Sequence, residues 1–308
     1  MPLPSDEKTV ETSRELAGLL RGIFGAPCTY RPVHAKGILI QGTFKPTAEA
    51  SSLSAAPHFN QESTPVIARL SVSSGDPELP DTDPSGNPRG FGLRFMLEES
   101  PRRVHTDIVA HSTPFFPAKD GPSALDFFRS LKAGTIDDYI ATHPAAKAFL
   151  GDLKRFPHNF TTDKYFGVNA FKFVSSEGKE TFIKYRIVPT TAEAYLDDEQ
   201  VKTKGPRYLF DALPDLIAQD ALNFDLVAQV ANEGDVTDDC TVIWPEDRRL
   251  VKLGSINLKT IMENNDSEQK RLIFDAVPRV NGIEPSADPL IDIRAGVYLI
   301  GGMERRAA

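Results

Sequence analysis

The sequence is short of most of the features that announce a protein class at a glance. Its 308 residues hold only two cysteines, Cys28 and Cys240, too few for a disulfide framework and without the paired spacing of a zinc site. It has no basic surplus. The 35 Lys and Arg are scattered and stand against 43 Asp and Glu, which speaks against nucleic acid as a partner. No apolar run approaches the length of a membrane helix. The opening "MPLPSDEKTVETSRELAGLLRGIFG" carries acids early and no uninterrupted apolar stretch, so it does not read as a secretory leader. The closing "MERRAA" is neither a peroxisomal tripeptide nor a prenylation box. These absences lead to the expectation of a cytoplasmic protein. Dinucleotide fingerprints, phosphate loops and Gly-x-Ser-x-Gly elbows are missing too.

What is present is a globular composition: 40% hydrophobic residues, with 19 phenylalanines among the aromatics, suits a sizeable core. Residues 8–24 place Leu16, Leu19, Leu20 and Ile23 on one helix face, and Gly25 and Pro27 end the run. Strand patterns follow at 32–44, 64–74, 89–97 and 103–110, separated by Pro, Gly, Asp and Ser clusters. Helical periodicity covers 122–134 and 143–156. Strands resume at 164–176 and 180–189, a helix falls near 207–219, and two more strands lie near 222–232 and 249–261. Eight strands with strong alternation predict an antiparallel sheet with one buried face, and eight is the number at which a closed barrel is just filled by side chains. No composition shift divides the chain, so residues 1–308 are expected to form a single α+β domain, with 1–26 as an N-terminal helical arm.

Two stretches invite chemical readings. In "HTDIVAH", His105, Asp107 and His111 share a strand face and have the residue types of a non-heme iron site. However, a strand rises about 3.3 Å per residue, so the two histidines stand roughly 20 Å apart and cannot meet at one metal. In "DPLIDIRAGVYLIGGMERR", Arg294 and Tyr298 are four residues apart and share a face on a helix. An arginine there favours the phenolate, which is a competent ligand for ferric iron.

Taken in order, "RPVHAKGILIQGTF" (31–44), "IARLSVSSG" (67–75), "PRGFGLRF" (88–95), "DIVAHSTPFF" (107–116), "YFGVNAFKFVSSEGKETFIKYR" (165–186) and "GIEPSADPLIDIRAGVY" (282–298) resemble the core of the heme catalases over most of the chain. The length matches the short, catalase-related peroxidase branch, without a C-terminal helical domain. The resemblance implies an eight-stranded antiparallel β-barrel surrounded by helices, with a buried heme b held by a tyrosinate. It implies that His34 is the distal acid and base and that Ser71 fixes its tautomer. Tyr298 is then the iron ligand, Arg294 keeps it anionic, and Arg31, Arg69 and Arg305 bind heme propionates. Ala35 and Gly37 would leave room for the flat cofactor.

The family's distal asparagine aligns with Ser112, whose hydroxyl keeps a donor at shorter reach; His111 is a neighbouring contributor. The phenylalanine that stacks on heme falls at Ala124–Leu125, where no aromatic stands. The implied activity is a heme peroxidase or weak catalase that takes hydrogen peroxide or organic hydroperoxides together with a small organic reductant. An alternative is a fatty-acid hydroperoxide isomerase or lyase of the allene oxide synthase kind. Val33, the residue type usual in catalases, favours the first. A further alternative is a non-enzymatic heme sensor or carrier, against which Ser71 speaks. Assembly as a homodimer is compatible with the resemblance.

Overall fold

The computed structural model describes residues 2–152 and 155–308. Eight strands run Gly37–Pro46 (β1), Thr64–Val72 (β2), Arg89–Glu98 (β3), Val104–His111 (β4), Tyr165–Val174 (β5), Glu180–Pro189 (β6), Asn223–Val230 (β7) and Leu250–Ile261 (β8). They pair antiparallel around a closed ring, β5-β4-β3-β2-β1-β8-β7-β6 and back to β5, with a short strand Ile283–Pro285 added to β5. The eight-stranded barrel expected from the alternation is therefore the fold.

The alternation explains which face is which. Along β2, Val66, Ala68, Leu70 and Val72 are fully buried and point inward, while Ile67, Arg69 and Ser71 point the other way. On β3, Phe91, Leu93 and Phe95 fill the barrel and Gly90, Gly92 and Arg94 face out. Phe173, Ile187, Phe224, Leu226 and Ile256 complete the interior, so the barrel is a packed core rather than a channel.

The outer face of β2–β4 is covered by helices Glu7–Phe24 (α1), Gly121–Ala133 (α2) and Leu290–Ala307 (α6), with Ile136–Thr142 (α3), Pro144–Asp152 (α4) and Asn265–Arg271 (α5) around them. Asp6 caps α1 by accepting from Thr9 N at 2.7 Å, and left-handed Gly25 ends it. Asp120 and Ser123 form a capping box on α2. Gly296 of α6 packs against Ser13 of α1, where a Cβ would meet the serine Oγ.

Three expected bounds differ. The strand expected from residue 32 begins only at Gly37, because residues 31–36 form an irregular segment containing left-handed His34. The helix expected over 143–156 is described as α4 to Asp152, preceded by the separate α3; residues 153 and 154 lie outside the described residues, as does Met1. The helix expected at 207–219 is broken into Tyr208–Asp211 and Leu213–Ala218, with Pro214 in the second piece's first turn, where a missing N–H does no harm. Among the described residues, no helix is long and apolar enough to cross a membrane.

Candidate active site

A cavity of about 430 Å³ lies between the outer face of β2–β4 and the helices α1, α2 and α6. Its floor is set by strand register. Ser71, Gly90 and His111 are partners across β2, β3 and β4 in one rung, and Arg69, Gly92 and Val109 are partners two residues along. Partners in a rung present side chains to the same side of a sheet, so all six face the cavity.

His34 hangs over this floor from the irregular segment. Its φ of 59° is a left-handed conformation that non-glycine residues seldom adopt. The neighbours that hold it there are visible. Ala35 N donates to Ser74 O at 2.9 Å, and Arg69 Nη2 donates to the carbonyls of His34 at 2.9 Å and Ala35 at 3.2 Å. The imidazole Nδ1 lies 3.1 Å from Ser71 Oγ. Gly90 makes the contact feasible, since a Cβ there would stand 2.5 Å from Ser71 Oγ and 2.8 Å from His34 Nδ1. Burial, then Arg69 and Arg31, lower the imidazole to about 3, so it is neutral near pH 7.

Across the cavity, α6 presents Arg294, Tyr298, Gly301 and Arg305, spaced four, three and four residues apart, which keeps them on one helix face. Arg294 Nε donates to Tyr298 Oη at 3.0 Å. The same guanidinium donates to Asn169 Oδ1, and Asn169 Nδ2 in turn donates to Asp288 Oδ2 at 2.7 Å. The arginine is thus aimed at the phenol oxygen by a fixed second layer.

Three more guanidiniums converge at one end. Arg31 donates to Leu272 O at 2.9 Å, Arg305 to the same carbonyl at 3.0 Å, and Arg69 Nε to Gln269 Oε1 at 2.8 Å. None of the three has a carboxylate partner among the described residues. Burial and then repulsion from neighbouring arginines lower Arg31 well below its ordinary range and Arg69 to about 9, while burial, Arg306 and Arg21 lower Arg305 to about 10. Buried cations held only by neutral acceptors are costly, and such a site favours a bound anion.

The remaining wall is apolar. Leu20, Phe24, Phe116, Phe127, Phe128 and Phe149 supply it from α1, the β4–α2 connection, α2 and α4. Ala124 does line the cavity, as alignment suggests, but the aromatic surface around it comes from these phenylalanines.

His34, Ser71, Arg31, Arg69, Arg294, Tyr298 and Arg305 are therefore brought to one cavity. Ser112 is not. Strand neighbours alternate, so with His111 on the cavity side Ser112 turns away, and its Oγ accepts from Arg89 N at 3.0 Å. Gly37 also serves differently from the expectation. A Cβ there would lie 2.4 Å from the Arg69 guanidinium carbon, so the glycine clears space for that arginine rather than for a flat ligand. Asp107 of "HTDIVAH" forms a two-bond pair with Arg94, at 2.8 and 2.7 Å. The sequence reading missed Asn169 and Gln269 and gave His111 a secondary place. The signal for His111 was its even spacing from Val109 on the same strand.

A family model described as Catalase matches residues 28–307. The "Catalase-related peroxidase" of Mycolicibacterium paratuberculosis is 31% identical over 287 residues, covering 91% of this chain and 90% of the relative. The protein of the same description from Synechococcus elongatus is 28% identical, covering 96% and 88%. "Catalase isozyme 2" of Ricinus communis is 27% identical over 87% of this chain but only 58% of its own length. Among solved structures, a fungal catalase and catalase A from Saccharomyces cerevisiae each superpose with a TM-score of 0.80, at 21% and 22% identity. They match 90% of this chain and 59% and 61% of their own. At those identities the likeness is one of fold.

Proposed function

The chain belongs to the catalase family and is a peroxidase/catalase-like oxidoreductase, and on that premise we propose that the cavity holds heme b against Tyr298 and presents a peroxide to His34. Heme is the usual cofactor of the family, and the fit is supported by this chain's own donors. A single observation carries the reading: buried Arg69 and Arg305 and half-buried Arg31 form a cationic group without carboxylate partners among the described residues, in the same cavity as the phenol of Tyr298. A flat apolar dianion satisfies both features, with the propionates on the arginines and the ring against apolar walls. The whole chain is then one heme domain.

When bound, the heme supplies the iron centre at which the peroxide O–O bond is cleaved. The protein's part is to orient and to move a proton. Tyr298 Oη would be the iron ligand, and Arg294, donating to that oxygen, stabilises negative charge on it. With Nδ1–H of His34 donating to Ser71 Oγ, and Ser71 in reach of Gly90 O at 3.5 Å, the His34 Nε2 lone pair is free to take a proton from one peroxide oxygen. An imidazole whose charged form is so disfavoured passes the proton on to the other oxygen rather than keeping it. Two propionates would offset part of the charge of Arg31 and Arg69 and bring the ring nearer its ordinary range.

The apolar wall of Phe116, Phe127, Phe128 and Phe149 favours organic hydroperoxides and a small organic reductant as co-substrate. The same wall keeps an isomerase acting on apolar hydroperoxides as the second reading.

Reconstitution with hemin tests the proposal. The parent protein should give a ferric spectrum of the phenolate-ligated type, and Tyr298→Phe should lose it together with peroxide turnover. Identical spectra with and without the phenol would refute the ligand assignment.

A further inference from the structure

Helix α5, with the sequence "NDSEQKR", has no apolar side chain and no fully buried residue. Hydrophobic burial therefore does little to hold it, and polar bonds fasten it instead. Asn265 grips β1 with both ends of its amide, just where β1 runs past its pairing with β8. Its Oδ1 accepts from Leu39 N at 3.3 Å and its Nδ2 donates to Leu39 O at 2.9 Å. One turn on, Gln269 Nε2 donates to Gly37 O at 2.9 Å, and its Oε1 accepts from Arg69 Nε at 2.8 Å. The carbonyls of the last turn are held by the other two arginines of the cavity. Arg31 donates to Gln269 O at 3.3 Å and Arg305 to Lys270 O at 3.1 Å. The one ion pair of α5 among the described residues, Arg271 with Glu268 at 4.0 Å, is internal to it.

Apolar anchors stand only at its flanks, where Met262 before it and Leu272 and Phe274 after it pack with Leu39. Asn264, which joins the first anchor to the helix, is left-handed at φ 50°, a conformation that asparagine tolerates better than most residues. A polar segment slung between two apolar anchors is of the kind that opens locally, at a cost far below global unfolding. Its place gives the opening a use. Arg31, Arg69 and Arg305 line the cavity and reach outward to α5, so the helix closes the arginine end from outside.

Building on the heme reading, we propose that α5 is the door through which the cofactor enters, with Asn265 and Gln269 as its latch. The apolar edge of the ring leads into the cavity, and the two carboxylates come to rest on the arginines as the helix closes behind them. The guanidiniums that hold the door's carbonyls are those that receive the carboxylates, so one set of charges serves both states.

The test compares Asn265→Ala and Gln269→Ala with the parent. Hydrogen exchange of the hemin-free protein reads how often α5 opens, stopped-flow mixing with hemin reads entry, and transfer to an excess of a tight heme acceptor reads release. Amides 265–271 should exchange before those of β1 and α6. Asn265→Ala, which removes both bonds to Leu39, should lower their protection about threefold or more, the worth of one net hydrogen bond. Hemin association should quicken by the same factor, because both follow the open population. A gate speeds entry and exit alike, so release should quicken equally and affinity stay nearly unchanged. Gln269→Ala should quicken entry too and also weaken affinity, since Arg69 loses its holder. Damage to the site without a gate would speed release and leave entry as it was, and that result in Asn265→Ala would overturn the proposal. So would amides 265–271 as well protected as those of β1. A parent protein that takes up no hemin would refute the heme reading instead, while the exchange data would still stand for or against an opening α5.

Discussion

At the residue scale, chemical identity was easier to read than orientation. His34 and Ser71 lie 37 positions apart and were paired only through family resemblance, since nothing in either local stretch shows that Nδ1 and Oγ come within 3.1 Å. Replacing Ser71 by Ala removes the hydroxyl that lies against His34 Nδ1, the partner proposed to fix its tautomer. We expect a ten- to hundred-fold slower reaction with peroxide in the hemin-loaded protein, the usual cost of losing such a supporting partner, with the phenolate-ligated spectrum intact. Stopped-flow rates and a spectrum of the same sample decide it, and an unchanged rate would remove Ser71 from the proton path. Ser112→Asn should leave peroxide turnover where it is, because the residue faces Arg89 N. The misplacement of Ser112 has a simple cause. A slip of one residue on a strand moves a side chain to the other face, and the cross-strand register Ser71–Gly90–His111 that corrects it is a long-range property.

At the scale of elements, alternation in the strands and the four-three-four spacing on α6 are local signals, so the barrel strands and the Arg294–Tyr298–Arg305 face were legible in advance. What escaped was the start of β1. Residues 31–36 alternate like a strand, but the left-handed turn at His34 is imposed by Ser74 and Arg69 from elsewhere in the chain. The helix break at Ala212 was also hidden, though Pro214 marks the place, and the short helix α3 before His143 was not read at all. The junction of the irregular segment with β1 gives a sharp prediction. Gly37→Ala would press a methyl against the Arg69 guanidinium, which must swing away and surrender its bonds to His34 O and Ala35 O. Hemin affinity should fall by about tenfold or more, the worth of a charge-assisted bond, measured by titration into the hemin-free protein. A variant that binds hemin as the parent does would show that Arg69 does not need that place.

At the scale of the whole molecule, the barrel interior carries a titratable group unrelated to the cavity. His58 is wholly buried among Phe44, Phe59 and Phe95, neither ring nitrogen has a partner among the described residues, and burial alone lowers it to about 3. Because the unfolded chain titrates near 6.5 and the folded one near 3, the unfolded state binds more protons between those values. Stability is therefore intact above pH 6.5 and is lost as pH falls toward 3, by up to about 1.4 kcal/mol per pH unit from this one ring. His58→Phe should reduce the overall slope in urea melts between pH 7 and 5 by this ring's share, since His34 and His111 are lowered to about 3 as well, and an unchanged slope would mean the ring is solvated or partnered in solution. The other whole-molecule consequence comes from the three arginines held only by carbonyls and an amide. That end of the cavity is an assembly of like charges, so on the heme reading hemin should raise the melting temperature steeply through binding linkage. Inside a cell, on the heme reading, the same imbalance would make cofactor supply a control on lifetime: chains left empty would spend longer open to proteases, and abundance would follow heme without any change in synthesis.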